Sequence, residues 1–126
     1  MPKTKKKDNL DFEITFFERL LEHKPTFVQA LVALGDAYTK KGLYEKGLEI
    51  DKRLVQLKPK DDIVYYNLAC DYSLLEQAEQ SLQALEQALE LGYRDFSFME
   101  KDPDLAFIRK DPRFRQLLSR YKKSRL

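Results

Sequence analysis

Pro25, Pro59 and Tyr93 stand 34 residues apart, and that spacing constrains the chain more than any other feature. Two windows on this ruler, 28–61 and 62–95, superpose Leu34 on Leu68, Gly35 on Ala69, Tyr38 on Tyr72, Leu48 on Leu82 and Leu57 on Leu91. Small residues fall on small ones and aromatic residues on aromatic ones. A fixed period of this length means that one supersecondary unit is repeated and that neighbouring units bury each other's apolar faces.

The repeated unit is helical. Leu31, Leu34 and Tyr38 form the i, i+3, i+7 stripe of an amphipathic helix. Thr26 followed by Gln29 predicts a capping box at its start. Gly42 predicts its end, because glycine enters the left-handed region without a steric penalty. Asp61 or Asp62 predicts the start of the next helix. Downstream, Asp102-Pro103 and Asp111-Pro112 place an N-cap acid before a first-turn proline, a strong start signal. Gly35 and Ala69 predict a close approach of two helices, where a larger side chain would overpack the seam.

These residues resemble the tetratricopeptide repeat, in which each repeat is a pair of antiparallel helices, A and B. The first window supplies Leu31, Leu34-Gly35, Tyr38, Gly47 and Pro59; the second supplies Tyr65, Leu68-Ala69, Tyr72, Ser81 and Ala88. Asp51, Leu54 and Tyr93 depart from the family pattern. The resemblance covers residues 10–121 and implies an all-α, right-handed solenoid of antiparallel helix pairs. Its expected organisation is a flexible basic tail over 1–8 and a single domain over 9–122, followed by a basic tail over 123–126. Within the domain, 9–24 is a capping helix in the helix B register, 28–61 and 62–95 are the repeats, and 96–122 is a helical C-terminal cap.

Composition excludes several function classes. One cysteine rules out an internal disulfide, so a reducing cytoplasm is the expected compartment. The lysine-rich start is followed by Asp8, Asn9, Asp11 and Glu13 rather than an apolar core, so secretion is not expected, and no stretch is apolar enough to span a bilayer. His23 belongs to a helix C-terminus and Cys70 is expected as a small buried filler. Neither has a partner in a recognisable motif, so no enzyme, catalytic residue, metal, cofactor or small-molecule substrate is expected. Residues 1–60 carry a net +4, residues 61–104 a net −9 and residues 105–126 a net +7. The basic ends could attract phosphates, but the body between them is acidic and disfavours a nucleic-acid surface.

The resemblance implies a protein partner. In the family, helix A positions line a concave groove. Carried onto this chain, the resemblance implies Gln29, Val32, Asp36 and Lys40 from the first repeat and Ile63, Tyr66, Asn67, Cys70 and Leu74 from the second. Tyr66 is expected to point away from the core site of Tyr65, by roughly 100°. The subtype that clamps a C-terminal carboxylate is not matched: of its residues only Asn67 is present, and Asp36 would repel an acid. The reading is an adaptor or chaperone-like module binding a peptide or partner segment. The alternative is a structural module that self-associates through its edges as a homo-oligomer.

Overall fold

A computed structural model describes the backbone of residues 2–123 and the side chains of residues 9–123. It is helical throughout: α1 (Pro2–His23), α2 (Val28–Lys40), α3 (Tyr44–Leu57), α4 (Asp62–Leu74), α5 (Ala78–Glu90), α6 (Phe96–Met99), a 3-10 turn (Pro103–Leu105), α7 (Ala106–Arg109) and α8 (Pro112–Lys123). The chain divides into two compact units, one ending at Pro59 and one beginning at Lys60.

In the first unit α2 packs between α1 and α3. Leu31, Leu34, Ala37 and Tyr38 of α2 are buried with Ile14 and Leu21 of α1 and Leu48, Ile50 and Leu54 of α3. The α2–α3 seam is as tight as its small residue implies. A Cβ built on Gly35 would lie 3.3 Å from both Asp51 Oδ1 and Ile50 Cγ2. The Arg53 guanidinium donates to the Pro25 carbonyl at 2.8 Å, tying α3 to the α1–α2 turn.

In the second unit α4 and α5 form the other pair, and the α4–α5 seam closes on Ala69, whose carbonyl accepts from Ser81 Oγ at 2.7 Å. The chain then turns at Tyr93, and α6, the 3-10 turn, α7 and α8 follow. The 3-10 turn and α7 pack on α4, and α7 and α8 pack on α5. Arg109 holds this return together, donating to the carbonyls of Met99 and Asp102 at 2.9 and 2.8 Å.

The caps show which local signals operate. Asp61 accepts from the amides of Ile63 and Val64, Asp102 from Asp104 and Asp111 from Arg113. The expected Thr26–Gln29 box does not form: Phe27 is the N-cap of α2 and has no side-chain cap bond. Its backbone does the work instead, the Phe27 carbonyl accepting from the Leu31 amide at 3.0 Å while the half-buried ring sits under Lys24. Gly42 ends α2 with φ +84°, and its register mate Glu76 follows α4 at φ +59°. The repeat therefore dictates a left-handed residue even where the side chain is not glycine. Helix α1 begins at Pro2, so residues 2–8, expected as a tail, carry helical backbone; Pro2 suits a first helical turn and no breaker follows it. Residues 124–126 of the expected C-terminal tail lie outside the described residues.

Two substitutions test this packing. Gly35→Leu should lower unfolding free energy by ~1–3 kcal/mol, because Ile50 and Asp51 must move; a denaturant titration that leaves stability unchanged would contradict the seam. Glu76→Gly should raise it by about 0.5–1 kcal/mol, since glycine removes the left-handed penalty.

Candidate functional site

The outward face of α2 carries Gln29, Val32, Asp36 and Lys40, spaced so that they share one side of the helix. All four are exposed, Val32 by 45% of its surface. Lys40 Nζ lies 2.9 Å from Asp36 Oδ2 one turn away. This contact holds the Lys40 ammonium above the usual lysine range. Both side chains face water, where such a pair is worth little and exchanges readily for another partner.

The face of α4 is different. Ile63 is 52% exposed and Asn67 is exposed, but Leu74 is half-buried and Tyr66 and Cys70 are buried, at 4% and 6%. The expectation of an accessible Tyr66 and Cys70 is therefore corrected: the residues after α5 cover them. The Tyr66 ring stacks on Tyr93 with centroids 4.4 Å apart and planes 5° from parallel, and Phe98 lies 6.1 Å from it. Its hydroxyl donates to Asp102 Oδ2 at 2.6 Å. The Cys70 thiol lies 3.8 Å from the same oxygen, and Asp102 Oδ1 accepts from the Asp104 amide at 3.0 Å. Asp102 is itself buried. One carboxyl group thus starts the 3-10 turn and closes it onto α4. Tyr65, expected to fill the core site in place of Tyr66, is only half-buried against the same cluster.

Electrostatics follow from the burial. Burial first, then the neighbouring Cys70 and Asp102, pushes the Tyr66 hydroxyl far above the ordinary tyrosine range. Tyr93 is pushed up to about 12, again chiefly by burial. Burial also pushes the Cys70 thiol up, with Asp102 adding to it. A thiol held protonated is a poor nucleophile, so Cys70 sits in the core as packing. His23 lies in the last turn of α1. No group of three or more His, Cys, Asp or Glu side chains placed to hold a metal ion occurs among the described residues.

Two helix pairs in a 34-residue register, each closed over a small residue, match the tetratricopeptide repeat model at residues 28–61 and 63–91. The chain belongs to the tetratricopeptide repeat family. It is 40% identical over 93 residues to a chloroplastic protein of Arabidopsis thaliana. That alignment takes in 71% of this chain and 28% of the relative's length. Among solved structures it resembles the one titled "MamA RS-1 ArsTM double mutant", with a TM-score of 0.70 and 23% identity over 94% of this chain and 68% of that one. The second likeness shows the fold, an α-solenoid of antiparallel helix pairs. Tetratricopeptide repeats are protein–protein interaction modules, typically without catalytic activity. Among the described residues no helix is long and apolar enough to cross a membrane.

Asp102 is not among the expected site residues. Its signal in the sequence is an N-cap position before Pro103, which identifies a helix start but not a buried bond to Tyr66.

The closure has a pH signature. Unfolded tyrosines lose their protons near pH ~10, whereas folded Tyr66 and Tyr93 keep theirs, so unfolding releases protons above that pH. The stability they confer is complete below pH ~10 and declines as pH rises past it. Tyr66→Phe should flatten this alkaline decline and cost ~1–3 kcal/mol at neutral pH, because Asp102 loses its hydroxyl donor. Guanidinium titrations between neutral and alkaline pH measure both effects.

Proposed function

We propose that this chain binds a peptide or partner segment through the exposed faces of its A helices, as an adaptor or chaperone-like module in a reducing compartment such as the cytoplasm. The observation that carries the reading is the α2 face. Val32 offers apolar surface to solvent beside an ion pair that costs little to open. Its buried neighbours Leu31 and Leu34 fix the backbone beneath it, so the surface is preformed and binding loses little entropy to ordering. On α4 the accessible part is Ile63 and Asn67, with exposed Phe98 from the return segment adding an aromatic ring.

This chemistry selects a partner. An apolar anchor would pack on Val32, and a Lys or Arg would replace Lys40 as the partner of Asp36. An acidic tail would meet Asp36 unfavourably. The described α2 face is small, so the affinity expected is micromolar, about −8 kcal/mol.

The test uses a peptide selected from a random library on the immobilised wild-type chain, with binding read by fluorescence anisotropy. Val32→Glu should weaken it about tenfold or more, equal to about 1.4 kcal/mol. Asp36→Lys should weaken peptides that carry a basic anchor. Both positions are exposed, so thermal melting should stay near wild type. Selected peptides that bind both variants normally would contradict the assignment.

A further inference from the structure

Helix α1 has two faces of unequal fate. Ile14 and Leu21 are buried toward α2, Glu18 accepts from the Tyr38 hydroxyl at 2.5 Å, and Asp11 pairs with Lys41. These contacts fix the rotation of the helix. The opposite face then presents Phe12, Thr15, Phe16, Arg19, Leu20 and His23 around a concavity of about 350 Å³. Phe12 is 73% exposed and Phe16 52%.

Register shows what this face lacks. Phe16 stands where Ile50 and Ala84 stand in α3 and α5, and Leu20 where Leu54 and Ala88 stand; those four are all buried. A further A helix is the wrong occupant, however. Glu13 takes the place of Gly47 and Ser81, both buried at their helix seams, so its carboxylate would be driven into the point of closest approach. Phe12 takes the place of Lys46 and Gln80, which stay exposed in the complete pairs, so the apolar stripe runs beyond the footprint of an A helix. The concavity between α7 and α8 offers no match either, since Arg115, Gln116, Ser119, Arg120 and Lys123 line its α8 side.

We propose that this face is a self-association surface on which a second copy of the chain packs its own α1 about a twofold axis. A stripe of Phe12, Phe16 and Leu20 is complementary to itself, which is what an isologous interface requires. Phe12 and Phe16 at these exposures present about 250 Å² per copy. With Leu20, His23 and the Arg19 stem added, two copies bury less than the ~1,200 Å² of a standard-size interface, in the range of weak association. The dimer is therefore weak and concentration-dependent. It is independent of peptide binding on α2, because it uses none of Gln29, Val32, Asp36 or Lys40.

Sedimentation equilibrium of the full chain should show a monomer at low micromolar concentration and a dimer at high micromolar concentration. Phe16→Ser should weaken association at least tenfold, and Phe12→Ser with it should leave a monomer; circular dichroism should stay unchanged, since both rings face solvent. Because the native Cys70 is buried, it can stay in place: Thr15→Cys should form a disulfide-linked dimer on mild oxidation, whereas Gln56→Cys on α3 should not. A monomer at every concentration, or a dimer indifferent to Phe16→Ser, would overturn the proposal. So would a monomer that sediments with phosphatidylcholine–phosphatidylglycerol vesicles through Phe12 and Phe16, which would assign the face to a lipid surface.

Discussion

Asp102 keeps a carboxyl group away from water, and the second unit is arranged around the donors that make this tolerable. A buried polar group without partners costs several kcal/mol; here one oxygen takes the Tyr66 hydroxyl and the Cys70 thiol and the other takes a backbone amide. Each donor comes from a different demand. Tyr66 and Cys70 lie one turn apart on α4, and the Asp104 amide turns back to the carboxyl because Pro103 opens a 3-10 turn. Arg109 then secures the carbonyl of the same aspartate. Removing any one donor strands the rest, so α4, Tyr93, the 3-10 turn and α7 stand or fall together.

This constraint divides the labour between the two A helices. On α2 the face opposite the core is left to water, with Val32, Asp36 and Lys40 exposed. On α4 the equivalent stretch from Tyr66 to Cys70 is spent on closing the chain's own C-terminal segment. The proposed binding surface is thus narrower than a repeat count implies, and Tyr66, the aromatic residue that most invites a binding role, is buried. Among the described residues the exposed aromatic rings sit elsewhere, at Phe12 and Phe16 on α1, at Phe98 beside the covered tyrosine and at Phe107 on α7.

Much of the architecture is legible in the sequence because it is periodic. Gly35 and Ala69 mark the two seams, Gly42 the end of α2, and Asp61, Asp102 and Asp111 the caps, and each follows from a local steric or hydrogen-bonding rule. The left-handed Glu76 shows the strength of the period, since only its register with Gly42 marks it. Tyr66 shows the limit. A 34-residue ruler describes how A and B helices meet, whereas Tyr66 is buried by an aperiodic segment whose contacts span 36 residues. Adjacent tyrosines at 65 and 66 then offer two ways to face the core, and only the return of Asp102 decides between them. The Thr26–Gln29 pattern fails for a related reason: the backbone of Phe27 already occupies the cap position.

The central claim is that the segment after α5 is an integral wall of the second unit rather than a removable cover over a binding face. Native-state hydrogen exchange on the full chain tests it directly. The account predicts that amides of α4 and those of residues 99–108 share one opening free energy, close to that of global unfolding of the unit, and that both fall together in Asp102→Ala. Fast exchange across 99–108 while α4 stays protected would contradict it, and would return Tyr66 and Cys70 to the binding surface.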